Sequence, residues 1–197
     1  MTAFNPASQV LPVTLFWLSF IVWVAFWVII GIRKSPTGPS EGSQDGRLLI
    51  ALSLWSGVVL ALIVAWAVPS ARLPGNGWGP LGVGLVGLWA GIGLRVWAIQ
   101  TLGHYFRTVV VVEKDHRLIQ AGPYRVLRHP SYAGTVLTTV GVGVALGSWL
   151  SILLGAAGAL IAFLRRISVE EAALKENLGA SYALYTRHTW RLVPFVW

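Results

Sequence analysis

Four long stretches of this chain carry almost no charge, and this constrains its fold more than any other feature. Residues 11–32 run 22 residues without a charged side chain. At about 1.5 Å per residue, a helix over that stretch reaches roughly 33 Å, enough to cross a bilayer core. Residues 48–68 form a second apolar run, ended by Pro69 and the turn formers Pro74-Gly75-Asn76-Gly77. Residues 81–102 form a third, interrupted by Arg95 and Gln100. Residues 134–164 add 31 more without a charge, about 46 Å as a single helix, too long for one crossing without extreme tilt.

Gly147-Ser148 falls near the middle of that last run, so the run reads as two tightly connected helices, 130–147 and 149–166. The basic residues decide between one helix and two. With two, one side of the membrane receives Arg33, Lys34, Arg47, Arg107, Lys114, Arg117, Arg125, Arg128, Arg165, Arg166, Lys175, Arg187 and Arg191. The other side receives Arg72, and Arg95 lies within the membrane. The positive-inside rule favours this arrangement. The expected fold is all-α and integral to the membrane: about five transmembrane helices, the last two a tight hairpin, then an amphipathic cytoplasmic tail. The N-terminus is expected outside, and the C-terminus and active site inside. Length fits one domain, 1–197.

Composition excludes the soluble classes. Charged residues make up 11% of the chain and mean hydropathy is +0.68, whereas soluble domains carry about 25% charged residues. Eleven tryptophans fit aromatic belts at the two interfaces. The net charge of +8 sits in short loops beside apolar runs, which points to topology and anionic lipid rather than nucleic acid. The absence of cysteine removes disulfides, thiolate metal sites and a cysteine nucleophile. Residues 1–20 contain no basic side chain, so the first run reads as a membrane anchor and not as a cleavable signal.

The hairpin returns the chain to the face it left. Arg128 and His129 at its start are therefore expected near Glu170 and Glu171 past its end. In the tail, Glu170, Leu174 and Leu178 share one helical face, with Arg166 a turn before Glu170. Glu171 and Lys175 read as an exposed pair on the neighbouring face. Gly179 is a natural helix end, and Ser181 a natural start for a short helix holding Tyr182 and Tyr185. Arg95 is expected either to snorkel to the surface or to face the bundle interior and pair with a carboxylate. Gln100 and His104 continue from it toward the same interface, and these three are candidate substrate contacts. Among His104, His116, His129 and His188 there is no ligand pairing of the H-x-x-x-H kind, so no metal is expected.

Two segments carry a resemblance. Residues 122–134 match G-x-Y-x-x-x-R-H-P-x-Y-x-G at every fixed position. The ending holds Glu170-Glu171, Leu178-Gly179, Tyr182, Tyr185 and a closing Arg191-Leu192-Val193-Pro194-Phe195-Val196-Trp197. Together they resemble the isoprenylcysteine carboxyl methyltransferase family, which is similar to the phospholipid N-methyltransferases, over residues 95–197. The first 80 residues resemble it only as generic transmembrane helices. The resemblance implies S-adenosylmethionine as cofactor, held by Tyr124, His129, Pro130, Tyr132, Gly134, Glu170, Glu171 and Tyr182. It implies Arg128 and Glu170 as catalytic residues, with Arg128 facing the acceptor. The implied reaction is methyl transfer to a lipophilic acceptor at the membrane, foremost a carboxylate of the isoprenylcysteine type on a small or lipidated substrate. A phospholipid or small-thiol methyltransferase, an NADPH-dependent sterol-reductase-like enzyme and a non-enzymatic membrane protein are the alternatives.

Overall fold

The computed structural model describes residues 7–33, 43–74, 78–103, 106 and 118–197. Among them are five α-helices: α1 (Ala7–Arg33), α2 (Ser43–Ala67), α3 (Trp78–Leu102), α4 (Pro130–Ala145) and α5 (Trp149–Thr186). Four of these, all but α4, are long and apolar enough to cross a membrane. The α4 helix has 16 residues, about 24 Å, and pairs with α5 as the expected hairpin. Gly147 makes the turn at φ +66, a left-handed conformation that suits glycine. Ser148 then caps α5 by accepting from the Ser151 N–H.

The described helices pair α3 with α4, α2 with α5, and α4 with α5, while α1 leans on α3. Small residues set these contacts, as expected where lipid offers no hydrophobic drive between helices. At the α3–α4 seam, a Cβ on Gly134 would lie 2.6 Å from the Gly91 carbonyl oxygen and 2.9 Å from the Arg95 nitrogen. Gly91 meets Gly134 and Thr138 in return, and Gly143 meets α5 at Ile152, so these glycines set contacts between helices of the same chain. Between α2 and α5, Ser53 donates to the Gly158 carbonyl at 3.1 Å and Ser151 to the Ala61 carbonyl at 2.7 Å. The apolar core runs through Phe16, Trp23, Val58, Leu88 and Val142.

The two ends of the bundle differ. At one, Arg72 bridges to Ser148 and the Leu73 N–H donates to the Gly147 carbonyl at 2.7 Å, tying the α2–α3 connection to the hairpin turn. At the other, the approach to α4 meets the far part of α5 and the tail. The α5 helix departs from expectation by running on past Arg166 without a break. It bends at Gly179 (φ 52, ψ −123). There was no breaker between Arg166 and Gly179 to stop it, and Gly179 takes the turn foreseen for it.

Candidate functional site

The approach to α4 is built to be rigid. A 3-10 turn, Gly122–Arg125, begins on Gly122 at φ +53. Pro130 opens α4 at its first turn, where a missing N–H costs nothing. Between them the chain pairs with the tail: Arg128 N–H donates to the Trp190 carbonyl at 2.7 Å, and His129 N–H to the Arg191 carbonyl at 3.1 Å. The bend at Gly179 swings Tyr182 and Tyr185 back toward this segment. Tyr185 donates its buried hydroxyl to the Tyr124 carbonyl at 2.7 Å.

Arg128, His129, Glu170 and Glu171 do meet. Glu171 is the hub. Its Oε1 accepts from Arg128 Nε at 2.8 Å and lies 3.3 Å from His129 Nε2, while its Oε2 accepts from Arg191 Nε at 2.9 Å. Its side chain is 13% exposed against 31% for Glu170. The exposed pairing with Lys175 is thus replaced by a buried junction, because the tail folds back and delivers Arg191, 20 residues away in sequence. Arg128 is held by the protein through two of its nitrogens: besides Nε on Glu171, its Nη1 donates to the Thr186 and Thr189 carbonyls.

Glu170 is placed differently. Tyr132 donates to its Oε2 at 2.7 Å, and Arg166 Nε donates to the same tyrosine oxygen at 2.6 Å. Its Oε1 is 3.9 Å from His129 Nδ1. Arg166 therefore reaches Glu170 through Tyr132. The rings of His129, Tyr132 and Phe163 stack in a column, with centroids 5.5 and 4.5 Å apart. Tyr124 is buried, and burial first, then the Glu170 charge, push its hydroxyl pKa upward, keeping it a neutral donor.

Arg95 faces inward. Its Nη1 donates to the Ser131 carbonyl at 3.2 Å and to the Thr135 hydroxyl. The expected carboxylate partner is replaced by α4 itself, because Gly134 lets that helix come within contact of the Arg95 backbone. Gln100 is exposed near the end of α3. His104 lies outside the described residues. Pro130 is buried at the start of α4, and Gly134 is committed to the α3 interface.

Among the described residues, three buried polar atoms at this end have no hydrogen-bond partner: Arg95 Nε, Ser131 Oγ and Tyr182 Oη. Such atoms cost about 1–3 kcal/mol each when nothing meets them, and they suit a polar ligand. Tyr182 was legible in the sequence. Arg191 stands in the closing motif without a partner assigned to it, and neither Ser131 nor the Arg166–Tyr132 link is marked by a motif. Ser131 sits one turn before Thr135, and that spacing on the α3-facing side was the available signal.

A polar, arginine- and glutamate-lined site at one end of a bundle with four helices apolar and long enough to cross a membrane fits a multi-pass integral membrane protein. Residues 83–176 match the Isoprenylcysteine carboxyl methyltransferase (ICMT) family. Protein-S-isoprenylcysteine O-methyltransferase B of Arabidopsis thaliana is 36% identical over 105 residues, covering 52% of this chain and 53% of that one. The Schizosaccharomyces pombe protein-S-isoprenylcysteine O-methyltransferase is 34% identical over 105 residues, covering 52% and 44%. The solved structure of the eukaryotic intramembrane Ras methyltransferase ICMT superposes with a TM-score of 0.61 at 28% identity, covering 78% of this chain and 53% of that one. The chain spans about half the length of the first two relatives and of that structure.

Proposed function

We propose that this protein transfers a methyl group from S-adenosylmethionine to the carboxylate of an isoprenylcysteine-type acceptor at the cytoplasmic face of a membrane. The observation that carries this reading is the set of unmet buried polar atoms, Arg95 Nε, Ser131 Oγ and Tyr182 Oη, beside an available carboxylate on Glu170. When bound, the cofactor supplies an electrophilic methyl on a sulfonium, which an ionised carboxylate takes by in-line displacement with no proton to move.

The protein's part is then positioning and electrostatics. Glu170 and the face of the His129–Tyr132 stack favour a cationic donor. Tyr124 and Tyr182 offer neutral hydroxyls around it. Arg95 is the residue best disposed to hold an acceptor carboxylate, since its Nε is unspent and its planar fork matches two oxygens. Arg128 carried that expectation in the sequence, but its Nε and Nη1 are already engaged by Glu171 and two carbonyls. Arg128 and Glu171 are assigned as positioning residues, and Pro130 and Gly134 set the backbone of the site. The single-domain reading and the N-out, C-in topology are proposed with it. At the end holding the site, the described cations include Arg125, Arg128, Arg166, Arg187 and Arg191, while Arg72 is at the other.

The test is purified protein in nanodiscs with radiolabelled S-adenosylmethionine and an N-acetyl S-prenylcysteine. Base-labile methyl ester is the expected product. Label that resists base, appearing on phosphatidylethanolamine or a small thiol instead, moves the acceptor to another class. A thermal shift with NADPH and none with S-adenosylhomocysteine overturns the reading.

A further inference from the structure

Residues 190–197 form a closed aromatic turn whose outward-facing members, Phe195 and Val196, make no contact with the site's side chains described above. The Leu192 and Val193 N–H groups donate to the Trp197 main-chain oxygen at 3.0 and 3.2 Å, and Val196 N–H donates back to Val193 at 3.2 Å. Inside the turn Arg191 lies over the Trp197 ring, 5.0 Å from its centroid, and Trp190 contacts the Phe195 ring at 4.7 Å. Phe195 holds φ 65. That conformation is costly for a bulky residue, and within the protein Phe195 gains one ring contact, with Trp190, while it stays 85% exposed and Val196 77%. Val126 and Val193 are exposed beside them. Exposure on this scale is otherwise found on the helix surfaces that face lipid, such as Ile32 and Val86.

The depth of this turn follows from α4. With 16 residues, α4 falls about 6 Å short of a hydrocarbon core of roughly 30 Å. Its far end is held at the opposite surface by exposed Arg72, bridged to Ser148. The shortfall therefore lies at the Pro130 end. Residues 126–129, and the tail paired with them through Trp190 and Arg191, come at the level where acyl chains meet headgroups. Arg125 and Arg187 are exposed on the segments flanking the turn. Aromatic side chains ringed by arginines at that depth match an anionic bilayer surface.

We propose that the 190–197 turn inserts Phe195 and Val196 into the headgroup–acyl boundary of an anionic leaflet and anchors the site to the membrane. The linkage is direct, because Arg191 leads from the turn to Glu171. This inference stands apart from the methyl acceptor and cofactor, so it survives or fails on its own evidence.

The chain has no cysteine, so single-cysteine labelling is clean. Phe195→Cys and Val196→Cys, each carrying an NBD fluorophore, are reconstituted in nanodiscs of phosphatidylcholine with phosphatidylserine, one protein per disc. Lys175→Cys, on the exposed face of α5, is the aqueous control. Both tail positions are exposed, so neither change threatens folding. Blue-shifted emission, quenching by lipid nitroxides placed near the headgroup, and dithionite reduction about tenfold slower than at position 175 support insertion. Reduction as fast as at position 175 with no lipid quenching overturns it. Protection seen only with two proteins per disc also overturns it, assigning the turn to a second copy of the chain.

Discussion

Replacing Glu171 by alanine should injure the protein differently from replacing its neighbour Glu170. The Glu171 carboxylate is 13% exposed and faces Arg128 Nε at 2.8 Å, the His129 ring at 3.3 Å and Arg191 Nε at 2.9 Å. Removing one member of a buried pair costs about 3–5 kcal/mol, because the partner charge stays behind. Arg191 is 37% exposed and can turn to water, so its share is near that of a surface pair. Arg128 is 11% exposed and cannot. About 3 kcal/mol is the resulting expectation for Glu171→Ala, which lowers Tm by roughly 6–12 °C for a chain of this size. Glu170 is 31% exposed with one close donor, Tyr132, so Glu170→Ala should leave Tm within about 2 °C. Its loss should appear in cofactor affinity. Differential scanning fluorimetry in detergent, with and without S-adenosylhomocysteine, separates the two. An unchanged Tm for Glu171→Ala, with affinity lost, would make Glu171 a cofactor contact and sink the junction argument.

Arg95→Lys should lower methyl transfer at least about a hundredfold, near 2.7 kcal/mol, with S-adenosylhomocysteine affinity retained. Initial rates and calorimetry check it, and a near-normal rate removes Arg95 from the acceptor site. Ser131→Ala deletes a buried hydroxyl with no partner. The fold should hold or gain by up to about 1–3 kcal/mol while ligand affinity or turnover falls. A lower Tm would mean the hydroxyl is satisfied within the protein. Gly134→Ala places a Cβ 2.6 Å from the Gly91 carbonyl and should cost about 1–3 kcal/mol, read as a drop in Tm without ligand.

Much of the fold was legible because hydropathy and charge act over long stretches. The runs at 11–32, 48–68 and 81–102 became helices Ala7–Arg33, Ser43–Ala67 and Trp78–Leu102. The split at Gly147-Ser148 was legible too, from span length and the side on which arginines fall. The hairpin then dictated that Arg128 and His129 meet Glu170 and Glu171. What could not be read was which partner each group takes. Helical spacing puts Lys175 one turn from Glu171, and local reasoning pairs them. The actual partners come from the α4 approach and from Arg191, brought in by a bend at Gly179 and by pairing of the tail with residues 126–129. Likewise, nothing in the sequence around Arg128 reveals that Thr186 and Thr189 present carbonyls to it.

The motif's residues divide by what they face. Arg128 and His129 reach out to Glu171 and the tail, Tyr132 reaches across to α5, and Gly134 faces α3. The approach to α4 and its first turn thus fix three neighbours at once. Gly134 matters for Arg95 in particular. Without a Cβ at that position, α4 lies close enough for Arg95 to donate to Ser131 and Thr135 through Nη1. That contact aims the guanidinium and leaves Nε unpaired in a dry setting. An arginine held by one edge and unmet at another is preorganised, since it needs little reorganisation to receive an oxyanion. The same argument explains why a glycine and an arginine on different helices belong to one device. Enlarging the glycine moves α4 away from α3, and the arginine then loses the hold that orients it, even though its charge remains.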